Sequence, residues 1–230
     1  MKKAFTVFVT LILGILLVSI STASATEFTA TFTGDNVVGA WFQDGGSPTA
    51  LSLLPDPNNS LGNWQVADTY TIDLLPGLYY DIIWCVANNP GPGSGNPGGF
   101  LAEIVSSPDI TFTQGSFLSS TSWEVAMVEN DTSPPGDFDA LSWTTATSYG
   151  TNGGANIWST VNGGPITGIS SSAEWIWTAA NFDDQDAPAG DDRVYLKVSL
   201  NTASVPEPAT ILLIGTGLIG LAGFRRKFRQ

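Results

Sequence analysis

The stretch Leu78-Tyr79-Tyr80-Asp81-Ile82-Ile83-Trp84-Cys85-Val86-Ala87 decides the fold. It carries one charged side chain, Asp81, and is otherwise aromatic, β-branched or small and apolar. Pro76-Gly77 precedes it and Asn88-Asn89-Pro90 follows, so the run is too short for a typical helix and ends at turn residues on both sides. A strand wet on one face alternates apolar and polar residues, and this one does not. The run is therefore predicted to be an interior strand, paired on both edges and covered on both faces. Asp81 is expected near the start of that strand, where water or a loop satisfies it. Cys85 reads as a small buried hydrophobe, since a reactive thiol needs cations nearby.

Outward from this strand the pattern stays β. Residues 27–33 alternate, 37–43 are apolar and aromatic, and 64–73 form a long run rich in Thr, Tyr and Val. Further short runs occupy 100–105, 122–127, 174–178 and 193–200. No stretch sustains a 3.6-residue period, and no repeat of fixed length appears. The runs at 69–74 and 78–87 are expected to pair as a hairpin across Leu75-Pro76-Gly77. Trp175-Ile176-Trp177 should place Ile176 on the face opposite both tryptophans. The segments 88–99 and 131–139, dense in Pro, Gly, Asn and Asp, read as solvated loops. Without a linker to divide them, residues 26–204 are expected to be one β-sandwich domain.

Charge and composition remove several classes of function. The 230 residues contain no His and one Cys, which excludes His-based catalysis, His-ligated zinc, an intramolecular disulfide and any Cys-based metal cluster. Between 26 and 204 the only cations are Arg193 and Lys197, against 20 acids, a net of −18. A surface so acidic does not bind nucleic acid, which needs clustered Lys and Arg.

The two ends read as addresses. Lys2-Lys3, an apolar run to Ile20 and the Ala23-Ser24-Ala25 site compose a secretory signal, with Ala23 and Ala25 as the small residues that signal peptidase recognises. Cleavage after Ala25 makes 1–25 the signal helix and Thr26 the new N-terminus. At the other end, 209–224 (ATILLIGTGLIGLAGF) is a second apolar run. At about 1.5 Å per residue it makes roughly 24 Å of helix, short of a ~30 Å hydrocarbon core, and terminal Arg and Lys can snorkel to close part of the gap. Positive charge after the span keeps the tail cytoplasmic, so a C-terminal transmembrane helix here leaves the body on the far side of the inner membrane.

Pro206-Glu207-Pro208, the short Gly-containing span and the Arg225-Arg226-Lys227 cluster, in that order, closely resemble the PEP-CTERM sorting signal of Gram-negative bacteria. The resemblance covers 205–230. It implies recognition by exosortase, a membrane-embedded cysteine protease, cleavage near the Pro-Glu-Pro, and release or transfer of the body to the cell surface. Proteins of this kind often accompany exopolysaccharide production.

The body also resembles a family. Asn63-Trp64-Gln65, Tyr70-Thr71-Ile72, Leu75-Pro76-Gly77, the strand ending in Ala87-Asn88-Asn89 and the Gly99-Phe100-Leu101-Ala102 return are similar to galactose-binding-like jelly-roll domains attached to bacterial glycosidases. Asp137-Phe138-Asp139-Ala140-Leu141-Ser142-Trp143, Trp175-Ile176-Trp177 and Val194-Tyr195-Leu196-Lys197 continue the likeness, which spans about residues 28 to 200. Ala140 departs from the Asp-or-Ser usual at that place, and the 35–45 hairpin departs from the family's pattern, leaving its ligand surface open. The resemblance implies an all-β jelly-roll β-sandwich.

Eight tryptophans invite a sugar-binding reading, because flat aromatics stack on pyranose rings. Trp123, Trp143, Trp175 and Trp177 read as packing. Trp41, Trp64 and Trp158 lie nearer turns and are the carbohydrate-binding candidates, with packing as the competing role of each. The densest carboxylate cluster is Asp183, Asp184, Asp186, Asp191 and Asp192. Adjacent residues on an extended chain point apart, which argues against a catalytic pair. The cluster lacks EF-hand spacing, yet the resemblance raises it as a structural Ca²⁺ candidate against the plainer reading of a solvated acidic loop. The expected protein is a non-enzymatic, exported surface or matrix component with exopolysaccharide as candidate ligand. Two alternatives stand beside it: a purely structural surface protein, and an accessory module of a carbohydrate-active enzyme.

Overall fold

The computed structural model describes residues 25–44, 49–50, 63–87, 98–128, 137–179, 193–204 and 217. The chain divides into two compact units, one of residues 25–203 and one of residues 1–24 with 204–230. Nearly all described residues belong to the first.

That unit is two antiparallel sheets. The first contains β1 (Thr26–Gly34), β4 (Asp68–Leu74), β6 (Phe100–Ser106), β10 (Thr147–Thr151) and β11 (Glu174–Trp177), in the order β10-β11-β6-β1-β4. The second contains β2 (Val37–Gln43), β3 (Thr49–Ala50), β5 (Tyr79–Ala87), β7 (Ile110–Gln114), β8 (Glu124–Val128), β9 (Thr144–Thr145) and β12 (Arg193–Thr202). Its order is β3-β2-β5-β12-β8-β9, with β7 beside the C-terminal half of β12. The chain passes repeatedly from one sheet to the other.

β5 lies between β2 and β12 and is buried from Tyr80 to Ala87, the interior strand its composition demands. Its even-numbered residues Tyr80, Ile82, Trp84 and Val86 enter the core between the sheets. There Trp84 meets Phe32, Tyr70, Phe100 and Trp123 at ring-centroid separations of 6.2, 6.1, 5.5 and 5.3 Å. Tilted and edge-on aromatic pairs at such distances add to the energy of area burial. Ile83 and Cys85 point the other way, into a smaller cluster with Ala126, Phe138 and Tyr195. Cys85 is indeed a buried thiol.

The expected hairpin between 69–74 and 78–87 does not form. β4 pairs with β1, from Thr26 opposite Leu74 to Phe32 opposite Asp68, while β5 belongs to the other sheet. Strands in one hairpin share both faces. β4 alternates and has one covered face, whereas β5 needs cover on both, so they suit different sheets. The turn between them, with Gly77 at φ 75°, crosses the sandwich end. The run 64–73 likewise divides: Val66 N–H donates to Asn63 O (3.0 Å) in a turn, and the strand begins at Asp68.

Both outer faces are partly covered. Over the second sheet lies the segment 137–143, with a 3₁₀ turn at Phe138–Ala140. Phe138, expected in a solvated loop, is buried against Trp41 and Tyr195, each 5.6 Å away between ring centroids. Over the first sheet lie α1 (Ile157–Asn162) and the loop after it. Asn156 caps α1 by accepting from Ser159 N–H (2.9 Å). Asn152, 2% exposed, ties the following loop down: its side chain donates to Ile166 O and Ile169 O and accepts from Ile166 N–H. Ile176 faces the inter-sheet core and Trp175 the outer cluster, as the two-residue period requires, but Trp177 joins the main core at the strand's end.

Candidate functional site

The three candidate tryptophans do not form one site. Trp158, a carbohydrate-binding candidate with packing as its competing role, is 3% exposed and stacks on Trp175 at 4.9 Å and 18°. Gly99 explains how close it comes, since a Cβ there would sit 2.7 Å from the Trp158 ring. Gly98 and Gly99, read as part of a solvated loop, are buried because lacking a side chain lets Trp177 and Trp158 approach the backbone. Trp64 is half-buried and meets Trp158 edge-on at 4.9 Å. Neither ring face of Trp158 is available for a sugar, and Trp64 closes the same stack.

Trp41 belongs to the other outer face. It is half-buried, leans back over Gly39, where a Cβ would sit 2.7 Å from its ring, and packs against Phe138. Next to it in the strand, on the same face, is Gln43. The registers set Gln43 beside Asp81 and Asp81 beside Ser199, so β2, β5 and β12 carry a polar row across the sheet. Asp81 Oδ1 accepts from the Tyr79 hydroxyl (2.7 Å) and from the Ser199 hydroxyl. The buried Asp81, near the start of β5 as expected, is thus hydrogen-bonded by its own strand and by β12. Burial, then the Asp81 carboxylate, pushes the Tyr79 phenol above its ordinary range, with the Ser199 hydrogen bond working against them. Gln43, 5% exposed, donates through Nε2 to Asp139 Oδ2 (3.2 Å), while its Oε1 is buried without a donor among the described residues.

One row away, Lys197 pairs with Glu124 across β12 and β8 at 3.1 Å, and its Nζ lies 4.3 Å from the centre of the Trp143 ring. Trp143 Nε1 donates to Phe138 O (3.0 Å), which fixes the half-buried ring at the end of the covering segment. Trp143 read as packing in the sequence. The structure shows it half-buried and packed against the Phe138 cluster, with the Lys197 ammonium over its ring. Gln43, Ser199 and Lys197 were not singled out either. Their signal was available in the two-residue period: polar residues at outward positions of otherwise apolar strands.

The acidic cluster Asp183, Asp184, Asp186, Asp191 and Asp192 lies outside the described residues, so the Ca²⁺ expectation falls there as well. Among the described residues no group of three or more His, Cys, Asp and Glu side chains is placed to hold a metal ion. Ala23 and the sorting residues Pro206, Glu207, Pro208, Arg225, Arg226 and Lys227 also lie outside, while Ala25 is exposed just before β1. Among the described residues no helix is long and apolar enough to cross a membrane, and of 209–224 only Gly217 is described.

Compared with known protein families, residues 204–227 match the PEP-CTERM protein-sorting motif. The motif implies export, processing by exosortase, and surface or membrane association through the C-terminal region. No curated protein and no solved structure matches the chain.

Proposed function

We propose that this chain is a non-enzymatic β-sandwich, exported and delivered to the surface of a Gram-negative cell, that holds exopolysaccharide on the outer face of its second sheet. One observation carries the reading: the half-buried Trp143, with Lys197 of the Lys197–Glu124 pair over its ring, stands on the outer face of that sheet, one row from the buried Gln43, Asp81 and Ser199. Sugar recognition uses such a combination, an aromatic face for the ring and fixed polar groups for the hydroxyls. The likeness of the body to galactose-binding-like jelly rolls supports the same reading. The −18 body favours neutral glycans, since polyanionic ones would be repelled.

A second reading, a structural surface protein without a ligand, is favoured by a different observation. Trp41, Trp64 and Trp158 are all engaged in packing, so few aromatic faces remain free.

Co-sedimentation with purified neutral exopolysaccharide, using the mature protein and its Trp143→Ala and Lys197→Met variants, separates the two. Binding that falls at least tenfold in both variants supports the site. Binding unchanged in both variants removes the site, and no binding by the parent supports the structural reading. Assay of the parent against glycoside substrates tests the non-enzymatic part, which any turnover above a heat-denatured control would overturn.

A further inference from the structure

Both ends of the sandwich unit leave from one place. Thr26 opens β1 opposite Leu74. At the other terminus the Thr202 hydroxyl donates to Leu75 O (2.8 Å) and accepts from Leu78 N–H (3.0 Å). Ala203 O accepts from Gly77 N–H (3.2 Å), and Ala203 N–H donates to Asp109 O (2.7 Å). The chain is therefore pinned to the 75–78 turn up to the last residue before the sorting motif begins. That turn exposes apolar side chains: Leu75 at 61%, Leu78 at 38% and, next to them, Tyr79 at 44%. A turn rich in exposed leucine at a fixed exit point is unusual, because turns are normally polar.

From Ala203 to Ala209, where the apolar run starts, there are six residue steps. At 3.3–3.6 Å each they span at most about 22 Å. A β strand of nine residues, the length of β5, is about 30 Å long. With 209–224 inserted in a membrane, a tether of that length would be shorter than the sandwich, and it starts at the leucine turn. We propose that the Leu75–Tyr79 turn docks on the lipid surface while the chain is anchored, orienting the body and holding Pro206-Glu207-Pro208 close to the membrane where exosortase acts. The proposal rests on the anchoring reading of 209–224. Glu27, Asp73 and Asp109 are exposed near the same end and are repelled by anionic lipid. Docking is accordingly weak without the tether, which supplies a high local concentration, and it weakens as anionic lipid is added.

The test uses the full chain in phosphatidylcholine vesicles, with an environment-sensitive fluorophore on Leu75→Cys, Leu78→Cys or Val161→Cys. Cys85 is buried and leaves the new thiol as the labelled one. Val161, 63% exposed on α1, is the control, because Trp158 of that helix packs on Gly99, at the opposite end of β1. The expected result is quenching by spin-labelled lipid and at least threefold protection from iodide at 75 and 78, with the reverse at 161. Equal iodide access at all three positions in vesicle-bound protein overturns the proposal. So does iodide protection without lipid quenching, which would mean a second copy covers the turn. Failure of the chain to float with the vesicles is read separately, and it overturns the anchoring reading together with the docking.

Discussion

β1 and β5 are both nine-residue strands, and they solve opposite problems. β1 (TEFTATFTG) sends Phe28, Ala30 and Phe32 into the core and turns threonines outward. Those hydroxyls pair with β4 across a half-exposed face, Thr29 with Thr71 at 2.8 Å and Thr31 with Thr69 at 3.1 Å. β5 also fills the core with alternate residues, but its other face is roofed by the segment 137–143. The difference lies in what covers the outer face. A strand with one bare face must alternate, and a strand under a roof is free not to.

The deepest test of that contrast is the shared core. Trp84→Ala removes the ring that joins both sheets and should cost about 3–5 kcal/mol, the range of large aromatic truncations in well-packed cores. Urea unfolding of the 26–204 body checks it. A loss under 1 kcal/mol would mean the sheets do not pack through Trp84.

Phe138→Ala addresses the roof alone. It should cost about 3 kcal/mol, because a ring buried between Trp41 and Tyr195 leaves a cavity. It should also expose Cys85, which shares that cluster. Thiol labelling of the native protein should accelerate at least tenfold. Unchanged labelling would show that the roof does not depend on Phe138.

How much of this was legible follows the same division. The bare-faced alternation of β1 and the continuous run of β5 were both readable, because the period-2 pattern records which faces are buried. The roof was not, since its start reads as the end of the solvated loop 131–139, and only Phe138, Leu141 and Trp143 betray it. Pairing was also beyond reach: adjacency across Leu75-Pro76-Gly77 implied a hairpin, whereas the matching of faces sent the strands to different sheets. The six-residue α1 was too short to show a helical period. In the candidate site, Trp158 pointed to a turn but not to Gly99, whose missing side chain draws the ring inward. The Gln43–Asp81–Ser199 row needed a register that no single strand reveals.

Alkaline unfolding separates core from surface. Burial holds the Tyr70 phenol well above its ordinary range, and Tyr79, Tyr80 and Tyr149 are raised as well. Below the unfolded value of about 10 both states keep the proton and stability is unaffected. Above it the unfolded chain loses the proton first, so stability falls as pH rises. Tyr70→Phe should flatten that decline while changing the melting temperature at pH 7 by only a few degrees, because the Tyr70 hydroxyl has no partner among the described residues. A decline as steep as in the parent would assign the alkaline sensitivity to the other tyrosines.

The smallest effect is expected where the first sheet is bare. Thr71→Val replaces a hydroxyl with a methyl on β4, an edge strand, and breaks the hydroxyl pair with Thr29. Cross-strand threonine pairs contribute a few tenths of a kcal/mol, and valine favours strands as much as threonine does. The change should therefore stay within about 0.5 kcal/mol. Cys85→Ser is the matching experiment on the roofed sheet, a polar atom placed on an outer face, and there it should cost about 1–3 kcal/mol because the hydroxyl enters a buried apolar cluster. The two measured together decide whether the faces differ as described. Equal costs would mean that β1 and β4 are also covered, and the alternation of β1 would then need a cause other than solvent.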